Sequence, residues 1–419
     1  MELKQILVQI EQRQDELFSL LSSLIQINSE NFRDYGNEQA IAEHIHALCL
    51  ELGLESECYS PLDLENFTDH PDYRPGRHLE NRLNVTARWK GLEDKDDLML
   101  MAHNDTVAIG DQENWDFDPL SGEIRDGKIW GRGACDDKYA LATCLFLIKL
   151  LQDNGFTPRK NLIFSAYCDE ERGGSHGALA AVLKTPCPHI VSMDGRQDQI
   201  WHCGSGGGEI IYTYHAAETV DSAKGPALAL PVVMAHLDGF AKNREEELEK
   251  NPFYTGTIIP KTALRYMDVH IGNHGADLGI GKICCVFYTD KTKEEIEKEL
   301  SVLDQEIRVA LLPLGMIGDG FTSNTRFFHY VHCQPDSPDV LAMVEASKAA
   351  TGKLPLVCGS CLSDLSVISK YGSSNAYGYG CGRDFSLPGG AHQPNEYIEC
   401  DALLEYTKTM AAFILKMLG

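Results

Sequence analysis

Apolar residues recur at three- and four-residue spacing through Leu3–Ile25, and again at Ile41, Ile45, Leu48 and Leu52 before Gly53. That period marks one face of an α-helix, so two amphipathic helices are predicted to open the chain. Short apolar runs then alternate with helical stripes. Strands are expected at Leu83–Trp89, Leu98–Ala102, Leu162–Tyr167 and His189–Met193, and helices at Asp137–Gln152 and Ser175–Leu183. Such alternation predicts an α/β fold with a mostly parallel sheet.

Past Asp194 the pattern changes. A glycine-rich stretch, Gly204-Ser-Gly-Gly-Gly208, precedes an expected strand 209–215, helix 224–239, strands 263–271 and 282–288, helix 292–303 and strand 306–312. This βαββαβ succession is the ferredoxin-like unit. After Gly318-Asp-Gly320 the alternation resumes, with a strand Arg326–His332, a helix Pro338–Ala350, a strand Ala376–Tyr379 and a closing helix Ala402–Met417. The reading is one α/β domain, 1–204 and 323–419, interrupted by an inserted domain at 205–322. The two glycine segments are expected to be hinges, because 204–208 has neither the GxGxxG spacing nor the lysine of a phosphate cradle.

Composition narrows the function. Of 419 residues 43% are hydrophobic and 24% charged, a globular balance, and 37 basic against 62 acidic side chains give a net charge of −25. With no Lys/Arg run to meet a phosphate backbone, nucleic acid is excluded as a partner. Met1-Glu2-Leu3-Lys4-Gln5 lacks an apolar signal core, and the weakly charged stretch Gly225–Leu237 is short and broken by Pro226 and Pro231, so no membrane partner is expected. The fourteen cysteines are dispersed, several within apolar patterns (Cys49, Cys144, Cys285), and read as reduced, buried thiols of a cytoplasmic protein. Cys358-Gly-Ser-Cys361 is followed by Leu362 and reads as a small-residue loop.

Five polar clusters carry the chemistry, most of them where a predicted strand ends, the place at which open α/β sheets hold ligands. The first is His103-Asn104-Asp105. Residues i and i+2 of an extended segment share a face, so Asp105 can bond one imidazole nitrogen while the other binds a metal. The others are Gly131-Arg-Gly-Ala-Cys-Asp136-Asp137-Lys138 at a helix start, Asp169-Glu170-Glu171, Ser192-Met-Asp194-Gly195, and Gly389-Gly-Ala-His392-Gln-Pro-Asn-Glu396. Each alone has an ordinary structural explanation, such as a helix N-cap. Together, two imidazoles and at least three carboxylates match the requirement of two zinc-like ions a few ångströms apart.

These residues resemble the M20 family of metallopeptidases and amidohydrolases. The segment Trp115-Asp-Phe-Asp-Pro119 through Asp126-Gly-Lys-Ile-Trp-Gly-Arg-Gly-Ala-Cys-Asp136-Asp-Lys138 is similar to its signature, as are His103-x-Asp105, Glu170-Glu171 and His392-Gln-Pro-Asn-Glu396. The resemblance implies that His103, Asp136 and Asp194 hold one metal, that Asp136 bridges to a second held by Glu171 and His392, that Glu170 is the general base, and that Asp105 orients His103. It further implies that 205–322 is a lid and dimerisation domain, and a homodimer follows as the expected assembly. Departures stand in that domain. The family's His-Ser after the first inserted strand is replaced by Val220-Asp-Ser-Ala223, and its substrate-gripping Arg is missing from Val286-Phe-Tyr-Thr289. His215, His270 and His274 are candidate stand-ins for the histidine. Ser363-Asp364 begins a family motif whose Arg is absent, with Arg383 as the candidate replacement.

The expected function is hydrolysis of the amide of a small N-acyl amino acid by two divalent ions, zinc with cobalt or manganese as alternatives. A dipeptidase or aminopeptidase is the alternative within enzymes. A metal-binding regulator without turnover is the alternative of another class.

Overall fold

The computed structural model describes residues 2–218, 221–254 and 259–419. The chain divides into two compact units: Met1–Cys203 with His332–Cys358 and Val367–Gly419, and Gly204–Val331 with Gly359–Ser366.

In the first unit the strands Tyr377–Tyr379, His189–Ser192, Glu93–His103 and Lys160–Tyr167 lie side by side in that order, all parallel. Asn84–Trp89 and Glu55–Tyr59 continue the sheet antiparallel beyond Lys160–Tyr167, and Gln199–Gly204 pairs antiparallel with Tyr377–Tyr379 on the other side. The central strands are near-continuous apolar runs because they are covered on both faces, as parallel strands are. Helices Lys138–Asp153 and Cys400–Leu418 bury residues such as Leu141, Leu145, Leu403 and Met410 in the core of this unit. Register places the site: Met101 is opposite Ser192, and His103 opposite Tyr167. Three strands therefore end together, and the segments that follow them leave from one edge of the sheet.

The second unit is a four-stranded antiparallel sheet in the order Leu264–Ile271, Ile280–Thr289, Gly206–Ala216, Met316–Thr322. Helices Gly225–Leu248 and Lys293–Leu311 pack on it through Val233, Leu237, Phe240, Ile296 and Ile307. Along the chain the elements run strand, helix, strand, strand, helix, strand.

Several expectations need correction. The opening apolar stripe is two helices, Leu3–Gln12 and Gln14–Ile25, parted at Arg13, whose guanidinium bonds Glu16 and Asp153. The expected strand 306–312 is the end of the helix Lys293–Leu311, because Leu303, Ile307 and Leu311 form a buried four-residue stripe that outweighs the local β-branched run. The true last strand, Met316–Thr322, contains Gly318-Asp-Gly320, which is therefore no connection between units. Gly206–Gly208 likewise begins a strand. There the glycines serve close packing: Gly207 has φ +130°, and a Cβ would come within 2.0 Å of the Phe287 carbonyl oxygen. Of the expected strand Arg326–His332 only Val331–His332 is strand. Cys358 and Ser360 lie in the strand Leu356–Ser360 and not in a loop. The second unit runs to Val331, past the expected limit at 322, and takes in Gly359–Ser366.

Candidate metal centre

His103 ends its strand fully buried. Its Nδ1–H donates to the backbone carbonyl of Asp105 at 2.9 Å, which leaves Nε2 facing Asp136 Oδ1 at 3.1 Å. The Asp105 carboxylate is farther from that nitrogen, 3.5 Å, and has other partners: it accepts the amide N–H of Glu170 and of Glu171, both at 3.0 Å, and Asn31 Nδ2 at 2.8 Å. Asp105 thus fixes the imidazole through its main chain and the two glutamates through its side chain.

Asp136 sits in the glycine-punctuated turn before the helix Lys138–Asp153. Its second oxygen lies 3.2 Å from His392 Nε2, and the same nitrogen lies 2.6 Å from Glu171 Oε2. One carboxylate between two imidazoles, one oxygen to each, is the disposition of a bridging ligand. Ligand atoms of His103, Asp136 and Glu171 all fall within 4.8 Å of one another. Glu171 is held by the Val107 amide at 3.1 Å. The N and O donor set, closely spaced, with His103 fully buried and His392 at the exposed side, fits divalent transition metals. Burial alone would lower the pKa of His392, but Glu171 and Asp136 outweigh it and hold the imidazole up at about 11. Burial likewise would raise Asp136, yet His103 and His392 keep it well below the usual carboxylate range. A cation at this place would bring positive charge to these carboxylates.

The remaining predicted residues fall as follows. Asp194 follows the strand His189–Ser192, and the Met193 amide donates to the Met101 carbonyl at 2.7 Å, so it leaves the same sheet edge as His103. Its neighbour in charge is Asp137, fully buried, whose carboxyl is pushed up first by burial and then by the charges of Asp194 and Asp136 against His103. Glu170 is close enough for its charge to raise His103. Arg383 stacks 4.0 Å from the Tyr397 ring centroid and bonds Glu399 at 3.4 Å. In the second unit His215 pairs with Asp319 at 2.9 Å, His270 lies 3.5 Å from Asp277, and His274 is exposed. In register His215 and His270 lie at the end of the sheet away from Gly206. Val220 lies outside the described residues.

Two buried pairs are not foreseen by the sequence reading. Arg132 Nη1 donates to Glu396 Oε2 at 2.6 Å, and Glu396 Oε1 accepts the Cys135 amide at 3.0 Å, which ties the His392 loop to the Asp136 turn. In the second unit Arg326 bonds Ser366 Oγ at 2.8 Å and lies 3.4 Å from Asp364.

Residues 99–416 match peptidase family M20/M25/M40. The chain belongs to this family of metal-dependent peptidases and amidohydrolases. Among its M20 relatives, the N-formyl-4-amino-5-aminomethyl-2-methylpyrimidine deformylase of Bacillus subtilis strain 168 is 23% identical, with 97% of this chain and 95% of the relative covered. A probable carboxypeptidase S-like 2 of Dictyostelium discoideum is 36% identical over 112 residues, 25% of this chain and 22% of that protein. The chain thus spans less than half the length of some curated relatives it matches. In fold it is similar to a di-peptidase from Saccharomyces cerevisiae, with a TM-score of 0.74, 18% identity, and 99% and 98% of the two chains covered.

Proposed function

We propose that this M20 protein is a binuclear-metal hydrolase that cleaves the amide bond of a small N-acylated amino compound. The observation that carries the reading is the chain of donors His103, Asp136, His392 and Glu171, in which one carboxylate faces two imidazoles. His103, Asp136 and Asp194 would hold one ion, and Asp136, Glu171 and His392 the other. Two such ions supply Lewis acidity to the amide carbonyl and lower the pKa of the attacking water. The chain's own part is proton transfer and orientation. Glu170 takes the proton of the attacking water and delivers it to the leaving nitrogen, so that one carboxylate serves as base and then as acid. Asp105 keeps Glu170 and Glu171 in place through their amides. The near full-length likeness to a deformylase supports an acyl substrate.

The succession of elements in the second unit supports a ferredoxin-like insert, which we assign the part of lid and dimerisation domain. Its edge strand Leu264–Ile271 exposes Met267 and Val269 and is free on one side among the described residues, which supports a homodimer. The fourteen cysteines, dispersed and mostly buried, support a reducing compartment such as the cytoplasm. Zinc is the metal we favour from the N and O donor set, ahead of cobalt and manganese.

The test is a hydrolysis screen of N-formyl, N-acetyl and N-succinyl amino acids against dipeptides, with Zn²⁺, Co²⁺ or Mn²⁺ added. Turnover of acyl substrates that have no free α-amine is the expected result. A strict requirement for the free amine would make the protein a dipeptidase or aminopeptidase. Metal binding without any turnover would make it a regulator.

A further inference from the structure

Behind the Glu170-Glu171 pair lies a buried charged cluster that the proposed chemistry does not use. Asp169 is fully buried and has φ +63°, a left-handed conformation that residues with a side chain seldom adopt. Its carboxylate meets four donors: Arg77 Nη1 at 2.5 Å, Arg82 Nη1 at 2.8 Å, His176 Nδ1 at 2.6 Å and, at 3.4 Å, Asn31 Nδ2. His176 Nε2 accepts the Arg74 amide at 3.0 Å, which fixes the proton on Nδ1 and aims it at Asp169. Arg77 also donates to the Arg172 carbonyl, and the Ser175 amide donates to the Asp169 carbonyl at 2.7 Å. Space is reserved for this contact, because a Cβ on Gly174 would come within 1.9 Å of Asp169 Oδ2. The turn is gripped from its other side by Asp105, through the amides of Glu170 and Glu171.

A buried ion cluster is weak support for a purely stabilising role, since desolvation offsets most of the attraction. This one stands immediately before the two glutamates, and it holds a backbone outlier of the kind that accumulates at functional sites. We infer that Asp169 is a positioning residue, clamped by Arg77, Arg82 and His176 so that the turn after it sends the Glu171 carboxylate to His392 and leaves that of Glu170 for proton transfer. The inference rests on the reading of Glu170 as the base. Arg77 and Arg82 come from the irregular segment between Asp69 and Asn84, which thereby acquires a role in the reaction without touching substrate.

The experiment compares Asp169→Asn, Arg77→Met and Arg77→Lys with the unaltered full chain. It measures cobalt content, amide hydrogen exchange of Glu170 and Glu171, and steady-state kinetics on the best substrate of the screen above. Asp169→Asn and Arg77→Met should keep their cobalt, exchange the two amides faster, hold KM within about threefold and lose about 10- to 100-fold in kcat, the scale of a small misplacement of a reacting group. Arg77→Lys should recover part of that loss. Unchanged kcat and unchanged exchange, with only a lower melting temperature, would overturn the inference, as would loss of cobalt, which would make the cluster a support of the metal ligands. Should Asp169→Asn fail to fold, the two Arg77 variants decide by the same criteria. Glu170→Gln is run in parallel: if it retains full activity, the base reading itself falls, and if it alone loses activity, only the clamp falls.

Discussion

Glu170 and Glu171 are adjacent and identical, yet their surroundings differ. Glu171 is buried between the Val107 amide and His392, whereas Glu170 has its amide on Asp105 and its charge near His103. Glu170→Gln should therefore keep both metals and the fold and lose about 10² to 10⁴ in kcat, the usual worth of general-base help. Metal content and kcat measured on one preparation check this, and loss of metal would show that the two roles are exchanged. Asp136 faces both imidazoles, so Asp136→Ala should empty both metal positions together, whereas Glu171→Ala should mainly empty one. Elemental analysis of the two variants separates these outcomes. The types and order of these residues are legible in the sequence, because four of the five clusters follow a recognisable strand or open a helix. The use of the Asp105 carbonyl for His103, and of its carboxylate for the next turn, is not legible, since it depends on how the backbone bends after the strand.

At the scale of elements, the centre depends on loops far apart in the chain that are joined by buried pairs. Glu396 is wholly buried, and burial raises its pKa against the opposing pull of Arg132. Arg132→Met would leave that carboxyl without its partner and should cost about 3 to 5 kcal/mol in urea unfolding. The sign of the pH dependence follows. With its pKa raised further in the folded variant, Glu396 favours folding below the unfolded value of about 4.3 and disfavours it as pH rises above that. The deficit of Arg132→Met should thus be smallest near pH 4 and grow toward neutrality. The pairing itself escapes a sequence reading because Arg132 and Glu396 are 264 positions apart. The same limit explains the exchange of helix for strand at 306–312: Ile307-Arg-Val-Ala-Leu-Leu alternates locally, and only the partners Ile296 and Leu303 on the same helix face reveal the longer period. Glycine reads two ways: the first unit boundary falls at Cys203–Gly204, beside the glycine-rich stretch, whereas Gly206–Gly208 and Gly318–Gly320 lie in strands and permit close contacts there.

For the whole molecule, the parallel centre of the first unit was legible from near-continuous apolar runs, and the interruption of the α/β pattern from the change of rhythm past Asp194. The return of Gly359–Ser366 to the second unit was not, because it rests on Arg326 meeting Ser366 and Asp364 across the chain. Among the described residues no helix is long and apolar enough to cross a membrane. The central claim is that one closely spaced set of imidazoles and carboxylates in the first unit works as a two-ion hydrolytic centre. The most direct measurement is amide hydrolysis by chelator-stripped protein titrated with Zn²⁺ or Co²⁺. The account predicts no turnover without metal and a rate that climbs and levels at about two ions per chain, the number the donor set supports. Full turnover in the stripped protein, or saturating metal with no hydrolysis of any acyl or dipeptide amide, would contradict it.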